Sequence, residues 1–111
     1  MKIQVVIKTQ FPAIHCWRAC PLDEVSFLRD PHRHVFHAVL KFAVTHTDRD
    51  IEFISMKNKV EDFIQTRFYN QDLGTTSCED IAVYLLKEFG AVFVSIFEDN
   101  ENGAEVYADN T

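Results

Sequence analysis

The chain has 111 residues, of which 47% are hydrophobic and ten are phenylalanine, a size and apolar content suited to one core, so a single domain over residues 1–111 is predicted. Eleven Lys and Arg against 17 Asp and Glu leave a formal net charge of -6 with no block of like charge, which argues against a nucleic-acid-binding surface. The wholly apolar runs fall far short of the roughly 20 residues needed to span a bilayer, and no signal-peptide stretch is present. A cytoplasmic protein without a membrane partner is expected.

Cys16, Cys20 and Cys78 are odd in number and lack C-x-x-C spacing, so reduced thiols are expected rather than a disulfide framework or a zinc ribbon. Along the chain, Ile3, Val5 and Ile7 alternate within Lys2–Thr9, the period of a strand with one buried face. Phe11–Trp17 reads as its continuation past a break at Pro12. Arg18–Pro31 reads as a long loop, a candidate lid anchored by Val25, Phe27 and Leu28. His32–Val44, dense in Val and Phe, predicts a long second strand that ends in a hairpin-like excursion over His46–Asp50.

Two helices are expected next. Ser55 is the candidate cap of the first, in which Met56, Val60, Phe63, Ile64 and Phe68 recur at helical spacing. Ser77 and Asp80 form a capping-box pattern at the start of the second, Ile81, Ala82, Leu85, Leu86 and Phe89 make its apolar stripe, and Gly90 ends it. Ala91–Phe97 is then a buried strand, Asp99–Gly103 a turn and Ala104–Tyr107 a last strand. The order β-β-α-α-β-β predicts an α+β fold, an antiparallel sheet with both helices on one face. The other face still carries Val, Ile and Phe, so self-association is expected to cover it.

The chemistry concentrates in three histidines. On a strand, positions i and i+2 share a face roughly 6–7 Å apart, so His32 and His34 can turn toward one ion. His15 on the neighbouring strand can complete a three-imidazole zinc site with an open fourth position, as catalytic zinc sites have. The same spacing also fits a surface strand of solvated histidines, with His37 and His46 as further examples.

Four segments in order carry a resemblance: F-P-A-I-H at 11–15, H-R-H-V-F at 32–36, T-S-C-E-D-I-A-V-Y at 76–84 and V-S-I-F-E-D ending at Asp99. Together they resemble the 6-pyruvoyl-tetrahydropterin synthase and 6-carboxytetrahydropterin synthase (QueD-like) family. That resemblance implies the T-fold, or tunnelling fold, in which subunits ring together, often as a hexamer, so that their sheets close a barrel. It implies zinc held by His15, His32 and His34, and a ligand pocket formed by Glu98 with Ser77, Cys78 and Glu79. In the family the carboxylate matching Glu98 anchors the pterin, which offers adjacent N–H donors to its two oxygens.

The chain also departs from the family. The cysteine four residues before the H-x-H pair is here Leu28, the histidine expected within Arg67–Asp72 is missing, and the glycine of H-G-H is Arg33. Cys16, Cys20, Glu24 and Asp72 are the candidates for substitute proton-transfer groups. Two functions are therefore expected in competition. One is a zinc-dependent enzyme of pterin or deazapurine biosynthesis, the class that includes queuosine formation. The other is a binding protein that keeps the pocket for a pterin- or purine-like small molecule without catalysis.

Overall fold

The structure, a computed structural model, describes residues 1–109. Four strands, β1 (Ile3–His15), β2 (His32–Val44), β3 (Phe93–Glu98) and β4 (Asn102–Tyr107), form one antiparallel sheet in the order β1-β2-β3-β4. The helices α1 (Phe53–Arg67) and α2 (Cys78–Phe89) cover one face of it, α1 against β1 and α2 against β3 and β4. This is the α+β arrangement expected from the sequence.

Strand alternation sets the core. Ile7, Phe11 and Ala13 of β1, Phe36, Ala38, Leu40 and Phe42 of β2, and Val94 and Ile96 of β3 are buried with Val60, Ile64, Ile81, Ala82 and Leu85 of the helices. Phe11 stacks between Phe36 and Phe68, with ring centroids 5.5 Å away on each side. Each fully buried Phe contributes roughly 1.5–3 kcal/mol by leaving water. The opposite face carries Val6, Val35, Val39 and Phe97 interspersed with Lys8, Arg33, His37 and Lys41, none of them fully buried, and among the described residues no helix lies over it.

Several boundaries differ from the sequence reading. Pro12 does not interrupt β1. The neighbouring N–H groups of Ile14 and Cys16 point to the outer edge of this edge strand, so the missing donor of Pro12 falls where no sheet partner needs it. Residues 70–74 run parallel to that outer edge, with Asn70 N–H on Pro12 O (2.7 Å) and Leu73 N–H on Ile14 O (2.7 Å). The Arg18–Pro31 loop contains a kinked 3₁₀ segment, Asp23–Arg29. Phe27 does not anchor it, being 64% exposed. Buried Cys20, the Arg29 Nε–H bond to Cys20 O and the Trp17 N–H bond to Leu28 O do so instead.

Residues 45–52 make no hairpin. Asp50 accepts bonds from the Thr45 N–H and hydroxyl and turns the chain directly toward α1. That helix starts three residues earlier than expected because Glu52, not Ser55, caps it, accepting from the N–H groups of Ile54 and Ser55. The Ser77–Asp80 capping box and the left-handed Gly90 at the end of α2 form as the sequence predicts. The β3–β4 turn is tighter than expected. Asp99 and Asn100, with φ of 52° and 58°, take the left-handed conformations that Asn and Asp tolerate best among residues with a side chain. Gly103 is required where β4 begins, since a Cβ there would lie 2.0 Å from Ile96 O.

Candidate metal centre and adjoining cleft

His15 closes β1, and His32, its cross-strand partner, opens β2. His34 follows two residues on along the same face, and Glu98 ends β3 opposite Phe36. All four thus sit where the helix-covered face runs out past the start of α2. Their ring centroids lie 4.6 Å apart for His15 and His32, 5.6 Å for His15 and His34, and 5.0 Å for His32 and His34. One ligand atom from each of His15, His32, His34 and Glu98 lies within 4.8 Å of every other. Phe36, wholly buried, forms the floor, with its ring 5.1 Å from that of His15.

The outward nitrogen of each ring is already engaged. His15 Nδ1 is 2.8 Å from Thr76 O, His32 Nδ1 is 2.9 Å from Asp30 O, and His34 Nδ1 is 2.7 Å from Asp99 Oδ2. Carbonyl and carboxylate oxygens only accept, so in each case Nδ1–H donates, and Nε2 of the neutral ring keeps its lone pair. A tautomer fixed in this way, with Nε2 turned to the centre, is the usual preparation of a metal-binding histidine.

His15 Nε2 tests whether an ion fits. It is buried without a hydrogen-bond partner, although Glu98 Oε2 stands 2.9 Å away and Glu98 Oε1 is 3.6 Å from His34 Nε2. The short contact is therefore one of charge and proximity rather than an aligned hydrogen bond. Two lone pairs facing each other at that distance repel unless a proton or a cation lies between them. A cation that accepts imidazole nitrogen and carboxylate oxygen suits this donor set.

A cleft of about 450 Å³ opens beside the cluster, within the range of small-molecule sites. Every pocket residue expected from the sequence lines it: Ser77, Cys78, Glu79 and Glu98, together with His15 and His32. The Ser77 hydroxyl is committed to capping α2, accepting from Asp80 N–H at 3.1 Å. Burial first, then the negative charges of Glu98 and Glu79 and a hydrogen bond to Glu98, push the Cys78 thiol up to about 12.

Among the described residues, no Lys or Arg lines the cleft. Arg33, between the two strand histidines, is exposed and by alternation belongs to the other face. Of the substitute proton-transfer candidates, Cys16 borders the cleft, while Cys20 packs in the loop with its thiol near Leu22 O and Val25 O. Asp72 accepts from Gly74 N–H beside the outer edge of β1. Glu24 is exposed on the 3₁₀ segment.

The sequence reading did not find Asp30, Thr76, Asp99 or Phe36 as parts of this site. Asp99 had a signal, since it follows Glu98 at a strand end and carries a second carboxylate to the same corner. Thr76 had none, because it acts through its backbone carbonyl.

No protein-family model matches the chain, and no curated protein matches it. Among solved structures it is similar to an uncharacterized protein of Wolinella succinogenes, with a TM-score of 0.77 and 13% identity over 98% of this chain and 99% of that one. At that identity the likeness establishes the fold and nothing about the site. No described helix is long and apolar enough to cross a membrane.

Proposed function

We propose that this protein binds zinc through His15, His32 and His34 and holds a pterin- or purine-like small molecule in the adjoining cleft. The observation that carries the reading is the locking of three Nδ1–H groups on Thr76 O, Asp30 O and Asp99, which leaves three Nε2 lone pairs for one ion. Three imidazoles favour zinc over magnesium or calcium, which prefer all-oxygen shells. Bound there, zinc would act as a Lewis acid toward an oxygen of the small molecule.

This reading agrees with the motif resemblance to the 6-pyruvoyl-tetrahydropterin synthase and QueD-like family, and two features favour binding over that family's catalysis. Leu28, which stands where those enzymes carry cysteine, is an apolar part of the cleft wall. Cys78, the thiol beside Glu98, is held protonated in the metal-free protein, so it is a poor base there. A neutral heterocycle also suits the cleft better than a triphosphate, since among the described residues no Lys or Arg lines it. The alternative, a zinc-dependent lyase, needs a proton-transfer group that Glu79 or Cys16 would have to supply.

We further propose that copies of the chain associate through the edge strands β1 and β4 and the sheet face that bears Val6, Val35, Val39 and Phe97. Ring closure would pair β4 with the part of the β1 edge that residues 70–74 leave open and would cover that face as well. Elemental analysis of purified protein, with mass spectrometry of any small molecule that copurifies, tests the functional reading. One zinc per chain and a pterin or purine are expected; substoichiometric metal after zinc is supplied overturns it.

A further inference from the structure

We propose that Glu98 is the fourth metal ligand, so that the centre is closed as long as Glu98 stays on it. The proposal rests on the reading of His15, His32 and His34 as a metal site and assigns Glu98 a role other than the heterocycle anchor that the motif resemblance implies.

Distance is the first argument. Donor atoms about 2.0–2.1 Å from a tetrahedral zinc stand roughly 3.3 Å from one another. The two contacts of the Glu98 carboxylate with ring nitrogens, 2.9 Å to His15 Nε2 and 3.6 Å to His34 Nε2, bracket that separation. Glu98 is thus at ligand spacing from two of the three histidines, and it belongs to the same convergent group as all three.

The second argument is the orphaned nitrogen. His15 is 7% exposed, its Nδ1 proton is used on Thr76 O, and its Nε2 has no hydrogen-bond partner. An ion accepting both the Nε2 lone pair and a Glu98 oxygen satisfies each group and removes their repulsion. A water as the fourth ligand would have to stand where Glu98 Oε2 already lies, 2.9 Å from His15 Nε2.

The third argument is valence. Oε2 faces His15 and Oε1 faces His34, while Cys78 lines the same cleft. An ion held between this carboxylate and the two rings would keep its oxygens turned toward the nitrogens and away from a pair of N–H donors in the cleft. Any small molecule that engages Glu98 must therefore compete with the metal for it. Departure of Glu98 would convert a closed centre of the structural kind into one with an open position, the catalytic kind.

Cobalt(II) in place of zinc makes the coordination shell visible. The cobalt-loaded wild type is expected to have a four-coordinate visible spectrum that millimolar thiocyanate does not change. Glu98→Gln is expected to bind cobalt about tenfold or more weakly, with an altered spectrum that thiocyanate shifts further. Thiocyanate binding to wild-type cobalt protein overturns the proposal, and this arm needs no variant to fold. Identical spectra for wild type and a folded Glu98→Gln overturn it as well. Both of those outcomes leave the three-histidine site standing, whereas a wild type that takes up no cobalt removes that site and this proposal together.

Discussion

Asp99 grips β2 with both carboxylate oxygens: Oδ2 accepts from His34 Nδ1–H at 2.7 Å, and Oδ1 accepts from Val35 N–H at 3.0 Å. The bonds from His34 and Val35 hold the Asp99 carboxyl below its ordinary value of 3.8. The folded group thus loses its proton at lower pH than the unfolded one, so its contribution to stability is present above 3.8 and fades as pH falls through the folded value.

Asp99→Asn keeps the shape of that clamp and removes its charge. Zinc affinity is expected to fall about 10- to 100-fold, the usual effect of losing the partner behind a metal-binding imidazole. Competition with a chromogenic chelator measures it. Unchanged affinity would mean that His34 does not ligate through Nε2.

His32→Ala should remove most of the zinc binding, because it deletes one of the proposed ligands without supplying a substitute. His37→Ala should leave binding intact, since His37 points by alternation to the other face of β2. Equilibrium dialysis of both variants checks the pair. Loss in His37→Ala with retention in His32→Ala would contradict the site.

In metal-free protein, where no ion competes for the carboxylate, Glu98→Gln should weaken binding of pterin or guanine by about one and a half to three decades. The amide accepts one of the paired N–H bonds and opposes the other with its NH2, a loss of about 2–4 kcal/mol in a desolvated site. Calorimetry of the two proteins decides the matter. Equal affinities would assign the heterocycle to other groups.

Cys78 should resist alkylation. A thiol raised from 9.0 to about 12 carries roughly a thousandfold less thiolate near pH 8, and the thiolate is the nucleophile. Iodoacetamide labelling mapped by peptide mass spectrometry should therefore find metal-free Cys78 slow in the native state and ordinary in denaturant. The same shift has a sign for stability. Folded Cys78 keeps its proton where the unfolded thiol has lost it, so this contribution is full below pH 9 and declines as pH rises toward 12.

Self-association predicts a single oligomeric species in sedimentation velocity at micromolar concentration. Val39→Asp on the open sheet face should dissociate it without unfolding the chain, since Val39 lies outside the core cluster. A monodisperse wild-type monomer would rule the association out.

Local chemistry made much of the fold legible. Alternation in Ile3–Ile7 and His32–Val44, the helical stripe from Ile81 to Phe89, and the Ser77 cap with Gly90 each depend on residues within a turn or two of one another, so their order alone determined β-β-α-α-β-β. Two of the three histidines were legible for the same reason, because His32 and His34 share a face by strand geometry. Local signals failed where a distant partner decided the outcome. Pro12 is tolerated because β1 comes to lie at the sheet edge with the missing N–H of Pro12 on its outer side, and no pattern near Pro12 encodes that. His15 is oriented by a carbonyl 61 positions away and His34 by a carboxylate 65 positions away. The closeness of Glu98 to both rings follows from the register that sets it opposite Phe36. Spacing in a sequence can place two ligands on one strand, but the meeting of three strand ends, and therefore the number and charge of the groups around one ion, is settled only when the sheet is assembled.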